Sequence, residues 1–155
     1  MGGHERALEL ALRHLSRRDR TEAELRRHLA ATDVGEPEAD AAIVEIRRMG
    51  YLDDGRYART FAEDRRNLDA WGAERIERRL IELGVDRDHI AAALAEHDGP
   101  DELEAALRLL RRRFGDDVPS GERERERALA VLVRKGYELD LAYDAVRAFE
   151  RAAAG

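Results

Sequence analysis

Apolar residues recur at i, i+3, i+4 and i+7 in five stretches of the chain: Leu8-Ala11-Leu12-Leu15, Ala39-Ala42-Ile43-Ile46, Ile90-Ala93-Leu94-His97, Leu103-Ala106-Leu107-Leu110 and Ala142-Ala145-Val146-Phe149. That spacing places one stripe on one side of an α-helix, with charge on the other side. Such a helix needs neighbours to cover its stripe. Four further helices are expected between them, over about 21–32, 54–69, 72–83 and 122–135. β-branched residues are sparse and never run together, so no sheet is expected.

The ends of these segments carry the chemistry that helix termini require. Thr21-x-x-Glu24 has the form of a capping box, in which a hydroxyl and a carboxylate satisfy orphan N–H groups reciprocally. Asp53 or Asp54, Asp86 and Asp140 are candidate N-caps. Pro37 and Pro100 suit a first helical turn, where a missing N–H costs nothing. Gly50, Gly84, Gly115 and Gly136 each follow a helical stretch and can adopt the left-handed conformation that closes a helix.

The nine predicted helices fall into three groups of three. Leu25 and Leu29 match Ile76 and Leu80 at an offset of 51 residues, and these match Ala128 and Leu132 at 52. Each middle helix is followed by a turn (Asp33-Val34, Gly84-Val85, Gly136-Tyr137) and then by a third amphipathic helix. A period near 50 residues with one helical unit per period reads as a repeat array. The expected architecture is all-α: three tandem three-helix repeats over 1–52, 53–98 and 99–155, forming an elongated, curved array.

Composition narrows the function. Charged residues make up 40% of the 155 positions and aromatics only 5%, which suits solvated helices. The absence of cysteine removes disulfides and thiolate metal sites. His4, His14, His28, His89 and His97 show no paired ligand spacing, so neither a metal nor a cofactor is expected; His28 and His97 lie close to apolar stripes. The opening residues carry no apolar stretch suited to a secretion signal, and no run approaches the length of about 20 residues that spans a bilayer. The expectation is a soluble, cytoplasmic protein with no membrane role. The formal net charge of −6 argues against a general nucleic-acid binder, but all of the 28 basic residues except Lys135 are arginine, the residue best suited to carboxylates and phosphates.

The densest motif is Gly50-Tyr51-Leu52-Asp53-Asp54-Gly55-Arg56-Tyr57-Ala58-Arg59-Thr60-Phe61, with Arg65 following. Paired acids can serve acid–base chemistry, yet no histidine or cysteine lies near them in sequence, and capping of the fourth helix explains them better. Tyr57, Phe61 and Leu68 are expected to form that helix's buried stripe. On the fifth helix Ile76, Leu80 and Leu83 face the core, leaving Arg75, Arg78 and Arg79 outside. Arg56, Arg59 and Arg66 likewise point away from the stripe of the fourth helix. These arginines compete between two readings: solvated charges held in i,i+4 pairs such as Glu74–Arg78, or a binding surface. Arg17-Arg18-Asp19-Arg20 and Arg111-Arg112-Arg113 end first helices, where positive charge suits the helix dipole, and either cluster can extend a basic surface. No phosphate loop and no serine-centred nucleophile motif is present, so the chain reads as non-enzymatic.

Three stretches together resemble the RecX family: Ala11 to Leu25 with Leu29; Gly50-Tyr-Leu-Asp-Asp54 with Arg56-Tyr57-Ala58, Phe61 and Arg65; and Gly72 with Arg75, Ile76, Leu80, Gly84-Val85 and Ile90. The match is close over about 8–95 and continues through Gly136-Tyr137. Leu83 precedes Gly84 where the family often has lysine, a residue that Lys135 supplies in the third repeat. The resemblance implies a regulator that binds RecA filaments on single-stranded DNA. It would inhibit RecA's ATPase, strand exchange and co-protease activities in homologous recombination, DNA repair and the SOS response. Arg56, Arg59, Arg65, Arg66, Arg75, Arg78 and Arg79 are then the candidate contacts to RecA or DNA, with room for weak direct DNA contact and a monomeric chain. Two readings stand against it: a direct DNA-binding or architectural protein with helix-turn-helix-like modules, and a generic repeat scaffold.

Overall fold

The computed structural model describes residues 2–154. Among them lie nine α-helices and no strand: α1 (Gly3–Leu15), α2 (Glu22–Ala30), α3 (Glu36–Arg48), α4 (Asp54–Asp69), α5 (Ala73–Glu82), α6 (Arg87–Ala95), α7 (Gly99–Phe114), α8 (Glu122–Lys135) and α9 (Leu139–Ala154). The chain forms two compact units. One is built from the residues up to Thr60 together with Leu80–Ala91, the other from Phe61–Arg79 together with the residues from Ala92 onward.

Helix boundaries follow the local chemistry. Thr21 caps α2 in a complete capping box with Glu24. Asp53 caps α4 by accepting from the Arg56 amide at 3.0 Å, and Asp86 caps α6 by accepting from Asp88 at 3.1 Å. Pro37 and Pro100 stand in first turns. Gly50, Gly84, Gly115 and Gly136 all have positive φ. Asp140 is no N-cap: α9 already begins at Leu139, so this carboxylate sits inside the first turn, where it still opposes the helix dipole. A second capping box, Asp98 with Asp101, opens α7.

In the first unit α1 packs on α3, and α2 packs on both. Their core holds Ala11, Leu25, Leu29, Ile43, Ile46 and Leu52. In the second unit α7, α8 and α9 pack mutually around Leu110, Leu132, Tyr137 and Phe149, among others. The six residues that define the repeat in sequence (Leu25, Leu29, Ile76, Leu80, Ala128, Leu132) are all fully buried.

The stripe of α4 differs from expectation. Its buried side chains are Ala58 and Ala62, whereas Leu68 is 74% exposed and Tyr57 and Phe61 are only partly covered. Alanine lets helices approach closely, so the larger apolar residues fall on the rim of this helix. Phe61 meets Trp71 edge to face at 6.0 Å there.

Candidate partner-binding surface

The structure sorts the seven candidate arginines by what already holds them. Arg56, Arg59, Arg78 and Arg79 are exposed. Arg56 donates from Nη2 to the Gly50 carbonyl at 3.1 Å, which fixes the guanidinium beside the turn closing α3. Arg65 pairs with Asp69 and lies within 6 Å of both the Phe61 and Trp71 rings, at 5.8 and 5.9 Å. Arg75 stacks over Trp71 at 4.2 Å and donates to the Arg134 carbonyl at 3.3 Å. A guanidinium over an indole face gains attraction from the ring quadrupole, so Arg75 is positioned rather than loose.

Arg66 is not on the solvent side as its charge suggested. Its side chain is 10% exposed, with Nε 3.7 Å from Glu102 Oε1, and it donates from Nη2 to the Leu94 carbonyl at 3.5 Å. His97 Nε2 lies 3.6 Å from the same carboxylate oxygen. Arg66 Nε, His97 Nε2 and Glu102 Oε1 converge without a hydrogen bond among them. Burial disfavours charge on both partners, raising the Glu102 pKa and lowering that of Arg66. This ion pair is internal architecture, and a residue 36 positions downstream was not readable as its partner from the spacing of α4.

The other oxygen of Glu102 accepts from the Ala73 amide at 3.2 Å, capping the start of α5. Two more donors at that helix start meet carbonyls at the end of α8: Gly72 to Lys135 at 2.8 Å and Glu74 to Gly136 at 3.0 Å. In return Lys135 Nζ donates to the Asp69 carbonyl at 2.8 Å, and the Tyr137 hydroxyl donates to the Ala70 carbonyl at 3.0 Å. Burial pushes the Tyr137 hydroxyl up to about 12, so it stays a neutral donor. A Cβ on Gly72 would lie 2.6 Å from the backbone of Gly136, so only glycine allows this approach.

The first unit repeats the device. Asp54, at the start of α4, accepts from the Glu22 amide at 2.9 Å, as Glu102 on α7 accepts from Ala73. Thr21 donates its hydroxyl to the Leu83 carbonyl at 2.6 Å. Gly84 lies against Ala23, and 52 residues on Gly136 lies against Arg75. In both places an acid from the next first helix, and the glycine turn ending the next second helix, close the start of a second helix. The sequence signals this only through the paired glycines; the acids look like ordinary first-turn charges.

Among the described residues no group of three or more ligating side chains is placed to hold a metal, and no helix is long and apolar enough to cross a membrane.

Models of the first, second and third three-helix domains of RecX match residues 7–45, 53–94 and 100–146. The chain belongs to the RecX family. Similar relatives named "Regulatory protein RecX" include one from Thermus thermophilus, 37% identical over 142 residues, spanning 91% of this chain and 90% of the relative. Another, from Xanthomonas campestris pv. campestris, is 35% identical over 131 residues, spanning 84% and 80%. The crystal structure of RecX from Lactobacillus salivarius shares the fold at a TM-score of 0.85 and 20% identity, covering 96% of this chain and 97% of that one. The three tandem three-helix domains are thus those of RecX, and the general role is that of a regulatory protein.

Proposed function

We propose that this RecX-family chain binds RecA filaments on single-stranded DNA and restrains their ATPase, strand-exchange and co-protease activities in recombination, DNA repair and the SOS response. It acts by binding rather than by catalysis, in the cytoplasm, as a monomer. Its lever is differential affinity, since a ligand shifts a filament between states only by binding one state better than another. The observation that carries the reading is family membership along all three domains. The exposed Arg56, Arg59, Arg78 and Arg79 support it, as side chains that a partner can reach. Arg66 drops out of the contact set because Glu102 and Leu94 hold it inside. Arg65 and Arg75 take part through the Trp71 surface that they flank. The repeat boundaries at 52/53 and 98/99 belong to the same proposal.

The test uses the RecA of the same organism on single-stranded DNA and follows ATP hydrolysis. Arg78→Ala with Arg79→Ala should preserve helicity and melting, because exposed charges contribute only about 0–1 kcal/mol each. The double variant should inhibit at least about tenfold less well, as interface arginines often do when truncated. Full inhibition by the folded variant would refute the assignment of these residues. No inhibition by the unaltered protein would refute the reading itself.

A further inference from the structure

The first and third domains carry the same groove with opposite contents. In the first, α2 and α3 border a cavity of about 420 Å³ whose lining includes Arg26, Ala30, Glu36 and Asp40. Arg26 pairs with Asp40 between the two helices, and one turn earlier on α2 Glu22 pairs with Arg47. The third domain repeats this register 103 residues later. Ala39, Ala42, Ile43 and Ile46 of α3 become Ala142, Ala145, Val146 and Phe149 of α9, and Leu25 and Leu29 of α2 become Ala128 and Leu132 of α8. The ion pair at the end of the groove is kept with its charges exchanged: Arg125 on α8 meets Glu150 on α9 at 2.8 Å where Glu22 meets Arg47. That bond shows that both grooves run between the same faces of their helices.

Along that groove the third domain is apolar. Leu129 and Tyr143 stand where Arg26 and Asp40 pair, Val133 where Ala30 stands, and Leu139 where Glu36 stands. Leu129 packs against the core beneath. Val133 is 44% exposed, Leu139 51% and Tyr143 46%. Leu129 and Val133 are one turn apart on α8, as Leu139 and Tyr143 are on α9, so the four form a stripe rather than the scattered single apolar residues of an ordinary surface. The polar cover that the first domain keeps over its groove is missing here.

Size and charge select what covers the stripe. A stable pair of identical chains buries about 800 Å² on each partner, and three half-exposed side chains offer far less, so a second copy is a poor fit. A furrow between two packed helices suits a third helix, whose anchors at i, i+3, i+4 and i+7 make one apolar line. Glu126 lies one turn before Leu129 and Asp140 one turn before Tyr143, and both acids are exposed. The cations on the same faces are already engaged, Arg125 with Glu150 and Arg147 with Asp144. The edge of the stripe is therefore acidic, and complementarity calls for lysine or arginine beside the anchors.

We propose that the groove between α8 and α9 is a docking site for a basic amphipathic helix of a partner protein, which lays leucine-sized anchors over Val133, Leu139 and Tyr143 and sets lysine or arginine against Glu126 and Asp140. α8 and α9 carry none of the arginines assigned to RecA, and the site is tested without the recombinase, so it stands or falls separately from the proposed function.

The experiment is fluorescence anisotropy of the full-length protein with a labelled synthetic peptide that has leucine at i, i+3, i+4 and i+7 and lysine elsewhere. The unaltered protein should bind it saturably. Leu139→Ala with Tyr143→Ala should weaken binding at least about tenfold, as truncated anchors do. Both side chains are about half exposed, so the double variant should keep its helicity. Leu129→Arg with Tyr143→Asp copies the ion pair of the first domain and should abolish binding; it is read only if its helicity is unchanged, and the alanine pair carries the test otherwise. Leu68→Ala removes an exposed leucine from α4 and should leave affinity within about twofold. A peptide with glutamate for lysine, and one with alanine for leucine, should each bind at least about tenfold more weakly. Wild-type affinity in the folded alanine pair would overturn the proposal, as would equal binding of the glutamate peptide or no saturable binding by the unaltered protein. Sedimentation should show a monomer at every concentration; a dimer that Tyr143→Ala dissociates would overturn the proposal and assign the groove to a second copy of the chain.

Discussion

Replacing Gly72 with alanine isolates the close approach that joins α5 to the end of α8. The added Cβ would stand 2.6 Å from the carbonyl carbon and oxygen of Gly136 and from the amide nitrogen of Tyr137. All three are backbone atoms, so no side chain can swing aside, and the two segments must separate by most of an ångström. That movement breaks the Gly72–Lys135 bond at 2.8 Å and the Glu74–Gly136 bond at 3.0 Å. Two hydrogen bonds contribute about 1 kcal/mol each, and overpacking costs about 2 more, for a loss of about 4 kcal/mol. Gly50→Ala supplies the comparison. Gly50 has φ +83° but nothing within 4 Å of an added Cβ, so its cost is conformational alone, about 1 kcal/mol after allowing for the stiffer unfolded chain. Urea unfolding followed by circular dichroism and by Trp71 fluorescence reads both, and the tryptophan adjoins Gly72 in sequence. The Gly72 variant should lose several times more stability than the Gly50 variant. Equal losses would refute the close approach as a source of stability.

Two further outcomes are expected. Arg66→Met or Glu102→Met alone should each cost about 3 kcal/mol by stranding a buried charge, and the double variant should recover part of the loss; chemical unfolding of the three proteins checks this, and simple additivity would count against the pairing. His14, stacked on His28 at 3.7 Å, has its pKa lowered by burial, with His28, Arg20, Arg17 and Arg18 adding to the effect, so its unfolded form binds protons more readily. Its contribution to stability is therefore present above pH 6.5 and lost as the pH falls through that value; urea midpoints between pH 7.5 and 5.5 should decline, and His14→Gln should flatten that decline.

Much of this was legible in the residues, for identifiable reasons. Helical period and capping chemistry are local, so the helices appear close to where Thr21, Asp53, Pro37 and Gly136 place them. Leu25, Ile76 and Ala128 report the repeat because every copy buries the same position. The stripe of α4 was misread because its contact face is made of Ala58 and Ala62, whose small side chains weigh little in any pattern of hydrophobicity, while the bulkier Leu68 stays outside. Arg66 was misread because charge ordinarily signals solvent. Its interior place depends on Glu102, on a different helix. Arg20 and Arg56 line one small cavity although 36 positions separate them in the chain, a juxtaposition that only packing creates.

The interlocking helix ends also set an order of events during synthesis. The amide of Glu22 has no acid to receive it until Asp54 has been made 32 residues later, and the Thr21 hydroxyl waits 62 residues for the Leu83 carbonyl. Ala73 then waits 29 residues for Glu102, and Ala70 waits 67 for Tyr137. The second helices α2 and α5 are therefore each born with a front end only partly closed, which the following repeat completes, and the nascent chain tightens in steps behind the growing point. A chain halted after the second domain would carry a sealed α2 and an unsealed α5. Amide hydrogen exchange at Ala73 and Glu74 would mark such an arrested product, while Glu22 would already be protected.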